Sequence, residues 1–151
     1  MRLETTKDII IHSKKFHKLL AEYYHHQVIT SDKSRLKILL EYLEERENNL
    51  KNTFSEIELT TSTKILNSWF SNSECHEKFG ELWVLIESGV LSTDGVIEQF
   101  LEIDDCLIRL YKSFAESAQI TSVKEFFNNL VKLEENHQIK ALKNAAQIDD
   151  L

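Results

Sequence analysis

Phe16-His17-Lys18-Leu19-Leu20-Ala21-Glu22 returns later in the chain as Leu110-Tyr111-Lys112-Ser113-Phe114-Ala115-Glu116, 94 residues on (110 − 16). Leu40-Glu41-Tyr42-Leu43-Glu44-Glu45-Arg46-Glu47-Asn48 returns as Leu130-Val131-Lys132-Leu133-Glu134-Glu135-Asn136-His137-Gln138, 90 residues on (130 − 40). Both pairs keep their order, so each half reads as one helix, a short turn and a second helix. The second copy carries Glu134-x-x-His137 and the first does not.

Apolar residues at helical spacing extend these stretches into four helices. The first spans about 6–27, on a stripe of Ile9, Phe16, Leu19, Leu20, Tyr23 and Tyr24. Thr30-Ser31-Asp32, rich in cap-forming side chains, starts the second, which spans about 32–54 on Leu36, Leu39, Leu40, Leu43, Leu50 and Phe54. The third spans about 94–117, capped by Ser92 or Thr93, on Ile97, Phe100, Leu101, Leu107, Ile108, Tyr111 and Phe114. The fourth spans about 122–146, with Thr121 and Ser122 as capping candidates and Phe126, Phe127, Leu130, Leu133, Ala141 and Leu142 on its stripe. Residues 147–151 are expected to fray.

Between the halves, residues 55–93 break the pattern with Ser and Thr clusters and two short amphipathic pieces, Lys64–Phe70 and His76–Ile86. Both tryptophans, Trp69 and Trp83, lie here and are expected to pack this connection onto the helices. The expected architecture is all-α: one domain, a four-helix bundle of two hairpins joined by a single long crossover.

Composition agrees and excludes several functions. A length of 151 residues suits one core. The chain has no proline and three glycines, so helix breakers and glycine-rich nucleotide cradles are scarce. A net charge of −7 with scattered lysines and arginines disfavours nucleic-acid binding. No apolar stretch is long enough to span a bilayer, and the N-terminus lacks the apolar core of a signal peptide, so a cytoplasmic protein with no membrane partner is expected. Cys75 and Cys106 form no Cys-x-x-Cys and are read as reduced thiols.

Polar residues interrupt the apolar stripes at informative places. Ile97, Leu101, Asp104, Ile108 and Tyr111 follow steps of three and four, which puts Asp104 on the buried face. A carboxylate there needs a partner. Leu130, Leu133, His137 and Ala141 share a face, so His137 points inward with Glu134 on its flank. On the second helix Glu47 takes the place of His137, and Glu44 that of Glu134. Asp104 and His137 lie at similar distances on either side of the turn near Gln119-Ile120, so Glu44, Glu47, Asp104, Glu134 and His137 are expected in one internal layer. As a bland alternative, Asp104 and His137 form a buried polar pair, and Glu44 and Glu47 a solvated flank. His12, His17, His25 and His26 are expected at the surface, and the run Glu44-Glu45-Arg46-Glu47 as mostly solvated charge.

A Glu on one helix and Glu-x-x-His on the next, used twice, resembles the ferritin-like di-iron carboxylate proteins. Asp104 with Leu110-Tyr111 and Glu134-Glu135-Asn136-His137 resembles their rubrerythrin-like branch. The resemblance covers the four helices and not the crossover. It implies a metal site at Glu44, Glu47, Asp104, Glu134 and His137 for iron or manganese, a homodimer, and peroxidase or ferroxidase chemistry. The ligand set departs from the family. The 94-residue offset places Ile10 where a helix-1 Glu belongs, Asp104 is a methylene short, and Glu47 replaces a histidine. A bundle with a degenerate site, acting as a non-catalytic binding or assembly module with no cofactor, is therefore expected ahead of a metal-dependent oxidoreductase or iron-binding protein with a reduced ligand set.

Overall fold

The computed structural model describes residues 3–70, 79–81, 83, 84, 86 and 92–149. The fold is all-α apart from a two-residue ribbon. Among the described residues, four long helices and one single turn have firm bounds: α1 (Thr6–Thr30), α2 (Ser34–Thr60), the single-turn α3 (Thr63–Leu66), α4 (Thr93–Ser117) and α5 (Thr121–Asp149). Strands β1 (Glu4–Thr5) and β2 (Trp69–Phe70) pair antiparallel, Glu4 opposite Phe70. Among the described residues no helix is long and apolar enough to cross a membrane.

Local chemistry sets the helix starts. Thr5 Oγ1 accepts a hydrogen bond from the Asp8 N–H at 3.1 Å, and the Asp8 carboxylate accepts one from the Thr5 N–H at 3.0 Å. This capping box satisfies two of the donors a helix start leaves bare. Ser92 caps α4 with a single such bond, its Oγ accepting from the Gly95 N–H at 3.0 Å. The expected cap at Thr30-Ser31-Asp32 is not used: α1 continues to Thr30, and α2 starts after Lys33 with no side-chain cap.

The second helix does not stop at Phe54. It runs to Thr60, with Ile57 packed against the core. Its hydroxyls do not break it, because they turn back onto the helix. Thr53, Ser55 and Thr60 each donate to the carbonyl four residues earlier, at 2.9, 3.2 and 2.8 Å. Likewise α5 reaches Asp149, beyond the expected end at 146, because Ala145 and Ile148 are buried. Residues 150 and 151 lie outside the described residues.

Of the connecting pieces, Lys64–Phe70 resolves into α3 and β2. Of the other, residues 79–81, 83, 84 and 86 are helical, with Phe79 and Ile86 buried; Cys75, His76 and the rest of it lie outside the described residues. Trp83 packs on the core, but Trp69 is 65% exposed, contrary to the packing role expected of it.

The hairpins α1–α2 and α4–α5 turn through residues 31–33 and 118–120, and α2 packs against both α4 and α5. Phe70, Phe114 and Phe127 form an aromatic cluster with ring centroids 5.0 to 5.4 Å apart. The repeat has one register, not two. The starts of α1 and α4 are 87 residues apart (93 − 6), as are their ends (117 − 30) and the starts of α2 and α5 (121 − 34). The buried residues obey it too: Leu40 matches Phe127, Leu43 matches Leu130 and Tyr24 matches Tyr111. The offsets of 94 and 90 seen in the sequence follow lookalike segments, whereas 87 is the spacing that superposes the buried stripes.

Candidate functional site

The long helices send five acidic or basic side chains into the core, two from α2 and one from each of the others. On α1 the buried stripe passes through Ile10, Ser13, His17, Ala21 and Tyr24. On α2 it passes through Leu43, Arg46, Glu47 and Leu50. On α4 Asp104 follows Ile103 and precedes Leu107. On α5 Glu134 follows Leu130 and Val131. His17 and Glu134 are wholly inaccessible, Glu47 and Asp104 are 1% exposed, and Arg46 is 4% exposed. Solvent therefore does little to offset the cost of burying their charges, and the partners must.

The partners are arranged as one network. His17 Nδ1 lies 3.2 Å from Glu47 Oε1, and His17 Nε2 lies 2.9 Å from Glu134 Oε1. With a carboxylate at each ring nitrogen, both nitrogens donate and the ring is an imidazolium. Arg46 donates to Glu47 Oε2 at 3.3 Å through one nitrogen and to Asp104 through another. Its guanidinium carbon also sits 5.8 Å from the centre of the Phe100 ring. The His17 ring stacks on Phe54, centroids 5.4 Å apart and planes 26° apart. Tyr111, 6.4 Å from Phe54, donates through its hydroxyl to Ser13 Oγ at 2.7 Å.

The electrostatics follow from this geometry. Burial alone would lower the His17 pKa, but Glu134 and Glu47 outweigh it and raise it to about 10. Burial pushes Asp104 up to about 8, helped by the nearby carboxylates of Glu134 and Glu47 and opposed by Arg46. Burial would also raise Glu47, but His17 and Arg46 hold it below its usual range. Burial, then Glu47 and Asp104, push the Tyr24 hydroxyl well above its ordinary value. Two buried atoms of the network, Arg46 Nε and Glu134 Oε2, have no hydrogen-bond partner among the described residues.

Of the five residues singled out in the sequence, the structure brings three together: Glu47, Asp104 and Glu134. Glu44 is not with them; it lies on the flank of α2, 3.1 Å from the exposed His25. His137 and Glu134 exchange their expected places. The buried stripe of α5 runs through Phe127, Leu130, Val131, Glu134 and Ala141, which centres Glu134 and leaves His137 half-buried one turn on. Burial and then Arg46 lower the His137 pKa. His25 and His26 are exposed as expected, and His12 pairs with Glu4 at 3.1 Å.

For two members of the network the sequence predicts the surface, and they are not there. His17, expected among the surface histidines, lies four residues beyond Ser13 on the buried stripe. Arg46, expected as solvated charge, lies three residues beyond Leu43 and four before Leu50. The 87-residue register would have flagged His17, because it aligns with Asp104. Ile10, the expected counterpart of Asp104, is a fully buried core residue in a different register.

Among the described residues, no group of three or more His, Cys, Asp or Glu is arranged to hold a metal ion. A cleft of about 270 Å3 lined by Trp69, Phe70, Ile120 and Val123 shares no residue with the network and has no titratable side chain in its wall. Set against known proteins, the chain matches no protein-family model, no curated protein and no solved structure.

Proposed function

We propose that this chain is a ferritin-like four-helix bundle whose metal layer has been replaced by a protein ion-pair network, and that it serves as a non-catalytic binding or assembly module. The observation that carries this is the His17 ring held between Glu47 and Glu134, with Arg46 on Asp104 beside it. The carboxylates that a di-metal bundle would turn toward its ions are turned toward side-chain cations here.

The 87-residue register supports the reading. Di-metal bundles take a carboxylate from each of two helices and Glu-x-x-His from each of the other two. In register, those positions are His17 and Asp104, then Glu47-x-x-Leu50 and Glu134-x-x-His137. A histidine stands at one carboxylate position and a leucine at one histidine position. The connectivity supports it as well. The Thr6 N–H donates to the Ser68 carbonyl at 2.9 Å, and the cleft joins Ser68–Phe70 to the turn between α4 and α5. The start of α1, the end of α4 and the start of α5 therefore share one end of the bundle. The end of α2 is there too, which supports a single-crossover connection between the hairpins.

The test is elemental analysis of untagged protein, purified without chelator and again after incubation with ferrous iron and with manganese. Far less than one ion per chain is expected in every sample. Near-stoichiometric metal that falls on His137→Ala would instead establish the metal-dependent oxidoreductase or iron-binding reading. The homodimer implied by the family resemblance belongs to the same proposal; a monomer by light scattering at micromolar concentration would remove it.

A further inference from the structure

The 87-residue register aligns the buried positions of the two hairpins but not their charges. His17 corresponds to Asp104, Glu47 to Glu134, and Arg46 to Leu133. The α1–α2 hairpin thus contributes two cations and one carboxylate, His17, Arg46 and Glu47, and the α4–α5 hairpin contributes two carboxyl groups, Asp104 and Glu134. The contacts that cross from hairpin to hairpin, His17 to Glu134 at 2.9 Å and Arg46 to Asp104, each join a cation to a carboxyl group.

We propose that the inner face of the α4–α5 hairpin is an anionic docking surface selective for an α1–α2 hairpin, and that this charge asymmetry keeps each hairpin from pairing with another copy of itself. Two α4–α5 hairpins placed together in the same register would bury four carboxyl groups, from two Asp104 and two Glu134, with no arginine in the layer. Two α1–α2 hairpins would bury two imidazoliums and two guanidiniums against two carboxylates. Only the mixed pair sets two cations against three carboxyl groups, one of which burial favours in its neutral form. The apolar stripes, being nearly superposable, do little to discriminate. A buried polar set that fixes partner and register at some cost in stability is the best-attested use of such groups. The inference rests on the two-hairpin bundle reading but not on whether the bundle holds metal.

The test uses the full chain with a protease site inserted in the connection between Phe70 and Ser92. The folded protein is cut, unfolded in guanidinium and refolded, and native mass spectrometry counts which halves re-pair. Mixed pairs are expected to exceed like pairs by more than about tenfold in the wild-type sequence, the ratio set by a modest difference in affinity. The near-isosteric variant Asp104→Asn/Glu134→Gln is expected to bring like pairs of the α4–α5 hairpin up to a level comparable with mixed pairs. Should it fail to refold, replacing His17, Arg46, Glu47, Asp104 and Glu134 together by leucine gives a second reading with the same expectation. Comparable mixed and like pairs in the wild type, failure of its halves to re-pair, or undiminished selectivity in the variants would each overturn the proposal. Metal bound to the intact chain, with strict mixed pairing, would overturn the proposed function alone.

Discussion

His17 Nε2 lies 2.9 Å from Glu134 Oε1, a contact between residues 117 positions apart that ties the first hairpin to the last helix. The same ring holds Glu47 on its other side at 3.2 Å. Removing it leaves two buried carboxylates close together with only Arg46 to compensate them. We expect His17→Leu to destabilise the protein by about 3–5 kcal/mol, the cost of stranding a buried charge. The double variant His17→Leu/Glu134→Leu should lose less than the sum of the two single changes, because the pair acts as a unit. Urea denaturation of the four proteins measures both quantities, and additive losses would count against the network.

Alkaline pH should weaken the fold. His17 has its pKa raised from 6.5 to about 10, so its contribution is complete below 6.5 and is lost as the pH rises through 10. Asp104 is raised from 3.8 to about 8, so its neutral form also favours the folded state, and that contribution is lost as the pH rises through 8. Glu47 is lowered, so its contribution is present above its ordinary 4.5 and is lost as the pH falls through its depressed value. Asp104 begins to lose its contribution above its ordinary 3.8 and His17 above 6.5, so stability should peak near the ordinary Glu47 value of 4.5 and fall from there as the pH rises to 10. Thermal melts across that range read this directly. A melting temperature that rises toward pH 9, or one that falls just as far in Asp104→Asn, would contradict the assignment of Asp104.

Copying the charge pattern of the second hairpin onto the first should make a cation site. His17→Asp/Arg46→Leu gives both hairpins the same inner layer, with four carboxyl groups and His137 at its edge. We expect this variant to be unstable alone and to be stabilised by manganese or ferrous iron, by about 2.7 kcal/mol at a hundredfold excess over Kd. Isothermal titration and melts with and without metal provide the measurement. A variant that folds normally and ignores both metals would refute the idea that His17 and Arg46 stand in for metal charge.

The aromatic floor of the site is expected to matter as packing. Phe54 is fully buried beneath His17 and beside Tyr111. Phe54→Ala should cost about 3–5 kcal/mol through lost burial and a residual cavity. Phe54→Leu should cost markedly less, and equal losses for the two would mean that ring stacking on His17, not volume, dominates.

The two helix caps give a smaller, cleaner effect. Thr5→Ala and Ser92→Ala each remove a side-chain acceptor from a helix start and should cost about 1 kcal/mol apiece. Because the sites lie at the starts of different helices, the two losses should add.

Much of this was legible in the sequence. The helical spacing of Leu36, Leu40, Leu43, Leu50 and Phe54 needs nothing beyond a period of 3.6 residues, and the helix is there. Asp104 interrupts an apolar face, and it is buried. Glu47 and Glu134 also reach the core. Glu44 and His137 show the limit of such reading. A stripe's centre is fixed by local periodicity, but its flanks are decided by what packs against them, and a shift of one position exchanged Glu134 with His137 on α5.

The sequence by itself determined the four long helices and their order in two hairpins, because the scarcity of breakers and the hydrophobic period are local properties of a chain. Only the tertiary structure decided the register of the repeat and the membership of the charged layer. Arg46 and His17 stand at stripe spacing, but nothing local shows that a cation there is buried. A cation enters a core only when carboxyl groups meet it there, and the partners on other helices lie 58 positions away for Arg46 and 117 for His17. That condition is not local, since the energy that keeps each charge inside belongs to the pair.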